Sequence, residues 1–219
     1  MKLSKDTQEI FKNYASINSN LMLREGNKLS TWTENKSVIS EVVLTETFPQ
    51  NFGIYDVNEF LGVVSLFSDP DITFNEDTAI ISEGKNRVRY KAAEETTLKV
   101  PTKSIAFPEA EINFSLSAAN LNMIHKTASV LRAADVSIVG DGSTVTAVVG
   151  DKKNATGNSF SEPVGQTDKT FKVNLKVENL KMLPGDYAVS ISSKKISRFK
   201  GAGDLVYYVA VEADSSFDL

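Results

Sequence analysis

An internal repeat is the feature of this sequence that most constrains its fold. The amphipathic segment at residues 3–17 has a counterpart at residues 116–130, at an offset of 113. A second pair of similar segments, residues 56–61 and residues 176–181, follows at an offset of 120. Two weakly similar halves, each with two short helices among strands, predict a duplicated domain. Such a chain is suited to a ring that repeats one unit.

Length and composition agree with this organisation and exclude several classes of protein. The chain has 219 residues, enough for one large or two small domains with their own cores. It has no cysteine, which excludes disulfides and thiolate metal sites. No apolar run is long enough to span a bilayer, and the polar N-terminal stretch is not typical of a signal peptide. The formal net charge of −4 means that any contact with DNA requires a local basic surface.

Hydrophobic periodicity predicts four helices, two in each half. In the first half they cover residues 3–18, with Ser4 as the N-cap, and residues 57–67. In the second half they cover residues 117–131 and residues 176–183, the last one ended by a Pro-Gly pair. The remainder of each half is rich in strand signals, so we expect an α+β fold with helices on one face.

Short runs of β-rich residues separated by turn signals predict the strands. Residues 92–110 contain two prolines and predict an extended connector between a first domain at 1–91 and a second domain at 111–219. Residues 150–168 are polar and glycine-rich, which predicts a long loop around a short strand. The other strands are expected within residues 21–48 and at 52–55, 72–74, 78–82, 86–90, 135–139, 144–149, 171–175, 187–192, 196–200 and 206–212.

The sequence offers no arrangement typical of catalysis or metal binding, so we expect neither an enzyme nor a cofactor. His125 is the only histidine, which excludes a histidine cluster. Gly140 and Gly142 lie between predicted strands and are typical of a hairpin turn, not of a phosphate-binding loop. The acidic stretch at residues 69–77 lacks the spacing of a calcium loop and is interpreted as a solvated turn.

Basic residues are placed on the predicted helices in a way that favours contact with phosphate. Lys5 and Lys12 are seven residues apart, so both point away from the apolar face of the first helix. His125 occupies the position equivalent to Lys12 in the second half. One electropositive face on an acidic protein suits sequence-independent contact with the DNA backbone. The candidate DNA-facing residues are Lys5, Lys12, His125, Lys126, Arg132, Lys176 and Lys181.

These charges also have ordinary explanations. Taken helix by helix, lysines on a solvent-facing surface are common, and the helix at 57–67 carries Glu59 and no base. A further basic cluster lies on a predicted hairpin, where an exposed edge protected by charge explains it equally well. This cluster consists of Lys194, Lys195, Arg198 and Lys200.

Four blocks of sequence resemble the sliding clamps of T4-type bacteriophages, which are processivity factors of the phage DNA polymerase. They are residues 1–7, 54–66, 182–187 and 208–215. The resemblance therefore reaches both ends of the chain and its duplicated interior. It implies a DNA-clamp fold with two similar domains, in which strands form the outer surface and two helices per domain line a central hole.

The resemblance also implies an assembly and a set of partners. The family forms a closed homotrimer around duplex DNA, is loaded by a clamp-loader ATPase and tethers the replicative polymerase. The phage transcription machinery is a further partner, no membrane is involved, and the site of action is the cytoplasm of the infected host cell. The alternatives are a ring-forming structural or scaffold protein of a phage and, more distantly, an enzyme with a titratable cleft.

Partner peptides of this family dock on an apolar region near the connector and the C-terminal strand. In this chain the connector supplies Ile105, Phe107 and Pro108. The C-terminal strand and its tail supply Val209, Val211 and Ala213. Simple packing of these side chains against the sheet is an equally good interpretation for any one of them.

Overall fold

The computed structural model describes residues 1–154 and 156–218, and the chain divides into two compact units. The first unit consists of residues 1–35 and 39–104. The second consists of residues 36–38 and the chain from residue 105 onward. Each unit has its own buried apolar core.

The first unit contains two helices and seven strands, all of whose strand pairs are antiparallel. Strand β1 pairs with β4, β2 pairs with β3, and β5, β6 and β7 form a three-stranded sheet in that order. A single 3-10 turn at Glu95–Thr97 lies in the predicted connector. The elements are α1 (Lys5–Ile17), β1 (Leu21–Leu23), β2 (Gly26–Trp32), β3 (Val38–Phe48), β4 (Phe52–Ile54), α2 (Val57–Val64), β5 (Asp71–Asn75), β6 (Thr78–Glu83) and β7 (Asn86–Lys91).

Helix α1 forms where the periodicity predicted it. The Ser4 hydroxyl oxygen accepts a hydrogen bond from the Thr7 backbone N–H at 3.2 Å, which confirms the N-cap. Phe11 and Tyr14 are fully buried on the inner face, and the Phe11 ring lies 6.3 Å from that of Phe60 on α2. The two helices of this unit therefore share one core.

Among its described residues, the second unit contains one α-helix and nine strands. Its strands form a five-stranded sheet in the order β11-β10-β9-β12-β16 and an antiparallel arrangement in the order β15-β14-β13-β8. The predicted loop at 150–168 contains a strand longer than expected, since β11 covers eight residues. The elements are β8 (Ile112–Leu116), α3 (Ala118–Leu131), β9 (Asp135–Asp141), β10 (Thr144–Gly150), β11 (Ser159–Gln166), β12 (Thr170–Lys176), β13 (Tyr187–Ser192), β14 (Ile196–Lys200), β15 (Val206–Ala210) and β16 (Ser216–Asp218).

The helix predicted at residues 176–183 is wrong. Only a 3-10 turn at Val177–Asn179 forms there. In the first unit Asp56 caps α2 by accepting hydrogen bonds from two backbone N–H groups. The equivalent residue is Lys176, which ends β12 and makes no side-chain cap. Pro184 then excludes helical backbone just before it, so too few residues remain to nucleate a helix.

The duplicated order of elements is confirmed. In the first unit a helix is followed by four strands, a second helix and three strands. In the second unit α3 is followed by four strands, the 3-10 turn and three strands, with β8 before and β16 after this series. The fold is α+β, as the sequence predicted.

Candidate functional site

The exposed face of α1 carries the first two predicted DNA-facing residues. Lys5 and Lys12 are both exposed, and the helix places them on the side opposite its buried face as a whole. Lys12 Nζ lies 2.7 Å from Glu9 Oε1, so part of its charge is balanced on the same face. Lys5 forms no ion pair within residues 1–154 and 156–218, which leaves its ammonium group available to an anion.

Helix α3 does not repeat this face residue for residue. His125, the counterpart of Lys12, is half-buried and hydrogen-bonds the Leu180 backbone. Burial lowers the pKa of His125 below its ordinary value, and the hydrogen bond only partly opposes this effect. His125 is therefore neutral near pH 7, and it supports packing more than it supplies charge. Lys126, the next residue, is exposed.

Arg132 lies beyond the last turn of α3. Its backbone adopts the left-handed conformation, with φ 55° and ψ 36°, and its N–H donates to the Ala128 and Ser129 carbonyls. Arg132 thus ends the helix as its C-cap, a position that favours glycine or asparagine. Its side chain is exposed but no longer follows the helical spacing that relates it to His125.

The two basic residues around the 3-10 turn, Lys176 and Lys181, differ in their surroundings. Lys176 Nζ lies 2.8 Å from Asp135 Oδ1, and this hydrogen bond raises the pKa of Lys176. A cleft beside α3 is lined by Lys176, His125 and Glu178, so its charge is mixed. Lys181, after the turn, is exposed. The strongest candidates for contact with phosphate are therefore the exposed cations on the helices and after the turn, not Lys176 or His125.

Asp135 also belongs to a partly buried charge cluster that the sequence did not indicate. Lys152 is only 7% exposed, and its ammonium group lies 2.9 Å from Asp214 Oδ2 and 3.6 Å from Asp135 Oδ1. These ion pairs join the loop after β10 to the start of β9 and to the segment before β16. The cluster holds the loop and the C-terminal segment together and offers no free anion-binding group.

Two residues of the predicted partner surface, one on β15 and one just after it, are buried. Val209 is fully buried and Val211 is 7% exposed, so both face the core. Successive side chains of a strand point to opposite faces, and the outward-facing residues of β15 are Val206, Tyr208 and Ala210. The run of apolar residues in this strand does not alternate, which is why the sequence alone could not fix the face.

The connector residues lie as half-buried side chains in the second unit. The Phe107 ring lies 5.9 Å from that of Tyr208 on β15, and the Arg198 guanidinium carbon lies 4.6 Å from the centre of the Phe107 ring. Ile105 and Pro108 are also half-buried. Ala213 is exposed, and its carbonyl accepts a hydrogen bond from the Lys195 ammonium group. Phe107, Arg198 and Tyr208 together form what we call the aromatic–arginine patch.

Sequence reasoning missed the role of Arg198 in this patch. The basic cluster around it was explained equally well as protection of an exposed strand edge. The structure excludes that explanation for Arg198 and Lys200, because β14 pairs with β13 on one side and with β15 on the other. The alternation of Arg198 with the buried Phe199 is the signal that could have indicated an outward-facing arginine on an interior strand.

Other possible sites carry no recognisable chemistry in the described part of the chain. Within residues 1–154 and 156–218, no group of three or more histidine or carboxylate side chains could hold a metal ion. In the acidic stretch Asp69 pairs with Lys2, and Asp77 lies in the turn between β5 and β6. Over the same residues, no helix has the length and apolar character needed to cross a membrane.

Comparisons with known proteins find relatives along the whole chain. The pattern of the DNA polymerase processivity factor family matches residues 4–99, and that of the gp45 sliding clamp, C terminal, matches residues 113–213. The sliding clamp of Enterobacteria phage T4 is 33% identical over 227 residues, covering 100% of both chains. The sliding clamp of Vibrio phage KVP40 is 29% identical over 221 residues, covering 97% of this chain and 100% of the relative.

Solved structures share the fold at much lower identity. Proliferating Cellular Nuclear Antigen from Entamoeba histolytica aligns with a TM-score of 0.71 and 14% identity, covering 94% of each chain. The DNA polymerase III subunit beta from Pseudomonas aeruginosa aligns with a TM-score of 0.70 and 15% identity, covering 100% of this chain and 66% of that one. At such identities the likeness shows the fold alone.

Proposed function

This chain belongs to the sliding-clamp family of DNA polymerase processivity factors, and we propose that three copies close into a ring that encircles duplex DNA and tethers the replicative polymerase to it. The similarity to a phage sliding clamp over the full length of both chains carries this proposal. The function is non-enzymatic, since topology and binding suffice for it. The alternative, a ring-forming structural protein, has no observation in its favour.

The two compact units support a ring of repeated domains. We assign residues 1–91 and 111–219 to the two clamp domains and residues 92–110 to the connector between them. Their repeated element order supports quasi-equivalent positions around the ring. Three chains then supply six such domains.

Exposed cations on the helices and after the 3-10 turn would contact the DNA backbone without reading its sequence. A closed ring retains DNA by topology, so weak phosphate contacts are enough even for a protein with a net charge of −4. Side chains that are half-buried, or whose charge is already paired within the chain, contribute less to this contact with DNA. They are Lys12, His125 and Lys176. The principal contacts are Lys5, Lys126 and Arg132, and Lys181 is a further exposed cation.

Two edge strands, one carrying arginines and the other a carboxylate, offer a way to close the ring. Strand β7 is an edge of the three-stranded sheet of the first unit and carries the exposed Arg87 and Arg89. Strand β11 is an edge of the five-stranded sheet of the second unit, and a buried carboxylate oxygen of Glu162 has no hydrogen-bond partner among the described residues. Pairing of β7 in one copy with β11 in the next would give hydrogen-bond partners to the free backbone groups of both edge strands.

The partner surface belongs to the second unit, at the aromatic–arginine patch and the neighbouring connector residues Ile105 and Pro108. Half-buried aromatic rings beside exposed polar groups suit a short apolar peptide. We propose that the polymerase and the clamp-loader ATPase compete for this surface, and that the phage transcription machinery also uses the clamp. These partners place its action in the host cytoplasm.

A processivity assay tests the function directly. The cognate polymerase and loader are given ATP and a primed circular template, with and without this protein. Long products that require the protein, the loader and ATP together are expected. Retention of the protein on a nicked circle, and its loss when that circle is linearised, would demonstrate a ring that slides off an end. Unchanged product length, with equal retention on circular and linear DNA, would overturn the proposal.

A further inference from the structure

We propose that Arg198 is a carboxylate-binding residue, and that the aromatic–arginine patch takes an acidic side chain of an apolar peptide from the polymerase. The proposal rests on the proposed function, since it identifies the chemistry by which the clamp would recognise its partner. It adds a polar, specificity-determining contact to a surface otherwise described by its apolar residues.

The guanidinium group of Arg198 is held in a fixed position. Its central carbon lies 4.6 Å from the centre of the Phe107 ring, and Nη2 donates a hydrogen bond to Ser190 Oγ at 3.2 Å. Ser190 and Tyr208 are its partners in register on β13 and β15. A stacked and hydrogen-bonded arginine loses little conformational entropy when it binds a ligand.

The charge of Arg198 is not balanced within the described part of the chain. It forms no ion pair there with any Asp or Glu, and its buried Nε has no hydrogen-bond partner. Arg24 shows the ordinary alternative, because its two terminal nitrogens bind the two carboxylate oxygens of Glu95 at 2.9 and 2.5 Å. An arginine that lacks such a partner, in a chain with more acidic than basic residues, is suited to a carboxylate from another molecule.

The surroundings favour a carboxylate carried by an apolar peptide. The Phe107 and Tyr208 rings offer apolar contact beside the cation. The planar fork of an arginine binds a carboxylate through two parallel hydrogen bonds, which a lysine at the same place cannot do.

Arg198→Gln tests the proposal, with Lys200→Gln as the matched control. The probe is a fluorescein-labelled peptide of the polymerase C-terminus, whose affinity is measured by anisotropy. Loss of a charge-assisted hydrogen bond should weaken binding by about tenfold or more in Arg198→Gln, and by less than about twofold in Lys200→Gln. Arg198→Lys, which keeps the charge without the fork, should fall between the wild-type protein and Arg198→Gln.

Peptide variants identify the group that is bound. Replacing the Asp and Glu residues of the probe by Asn and Gln should weaken its binding to the wild-type clamp about tenfold, with no further loss in Arg198→Gln. The loss measured with the wild-type clamp needs no clamp variant, so that result holds even where Arg198→Gln lowers stability. Loss of affinity only when the terminal carboxylate is amidated would overturn the assignment to a side chain.

The outcomes separate this inference from the proposed function. Equal affinity of the wild-type protein and Arg198→Gln for the acidic probe would overturn the role of Arg198 and leave the clamp function standing. If the probe does not bind the wild-type protein although the processivity assay succeeds, the carboxylate site is overturned together with the placement of the partner surface.

Discussion

Ser4 and Ser117 cap helices α1 and α3 in the same manner, 113 residues apart. The Ser4 hydroxyl oxygen accepts the Thr7 N–H at 3.2 Å, and the Ser117 hydroxyl oxygen accepts the Asn120 N–H at 3.1 Å. The repeat is therefore preserved in hydrogen-bond geometry as well as in sequence. The caps fix where each of these helices begins, and so which of their residues are exposed.

Removal of either cap should destabilise the protein. Ser4→Ala and Ser117→Ala should each lower the free energy of unfolding by about 1 kcal/mol, because a backbone N–H at the helix start loses its partner. Urea denaturation followed by circular dichroism measures this loss. Ser16→Ala and Ser129→Ala, at exposed positions inside the same helices, are the controls. A cap variant as stable as its control would show that the hydroxyl contributes nothing.

Glu46 should make stability depend on acid. Burial opposes its ionisation, but hydrogen bonds from the Thr7 hydroxyl and the Ser4 N–H outweigh this effect and lower the pKa of Glu46 from 4.5 to about 2. A carboxyl group whose pKa is lower in the folded state stabilises the fold above about pH 4.5, and this contribution is lost as the pH falls towards 2.

The corresponding measurement compares the wild-type protein with Glu46→Gln from pH 7 to pH 2.5. The variant should be less stable at neutral pH by about 1 kcal/mol, a value reduced because solvent reaches this group. The difference should shrink progressively as the pH falls below about 4.5. Glu25→Gln, at an exposed position, is the control. A difference that stays constant with pH would contradict the assignment.

Replacing Lys152 should lower the free energy of unfolding far more than replacing its neighbour Lys153. Lys152→Met removes the cation that Asp135 and Asp214 share, while Lys176 still pairs with Asp135, and we expect a measurable loss in the free energy of unfolding. Lys153→Met, at the adjacent exposed position, should have little effect. The double variant Lys152→Met with Asp214→Asn should recover part of the loss, because the ion pair of Asp214 is with Lys152. Chemical denaturation of the four proteins measures these effects, and equal stability of both lysine variants would contradict the prediction.

Charge reversal on the helices should weaken DNA retention. Lys5→Glu combined with Lys126→Glu should reduce loading, and the slope of log affinity against log salt should become shallower by about 0.9 for each phosphate contact removed. Lys28→Glu, on strand β2, is a control of the same type of charge change. Filter binding or retention on nicked circles at several salt concentrations gives the slope. An unchanged slope in the double variant would place these lysines away from the DNA.

The assembly should be a trimer of about 72 kDa, since one chain has a mass of 23.9 kDa. Light scattering coupled to gel filtration at tens of micromolar measures this mass. Arg87→Glu with Arg89→Glu should shift the population towards monomer, because the charge of the β7 edge is reversed. Lys85→Glu, in the turn before β7, provides the control. A monomeric wild-type protein at this concentration would count heavily against the ring.

Much of the fold followed from local signals. The cap at Ser4 and the helical spacing of Phe11 and Tyr14 predicted α1, and the repeat predicted α3 and the order of the strands after it. The short strands β8 and β16 were missed because each depends on pairing with a strand distant in sequence. The helix expected at 176–183 was wrong because its first residue belongs to a strand and supplies no cap.

The sequence by itself determined the duplicated α+β organisation, since hydrophobic periodicity and helix capping depend on residues that are close together in the sequence. Only the tertiary structure decided which side chains of that scaffold face outward. Val209 and His125 are placed by packing against residues far along the chain, and Arg198 becomes a held cation only because the connector brings Phe107 over β14. Burial and stacking depend on such distant contacts, whereas helix formation at α1 does not.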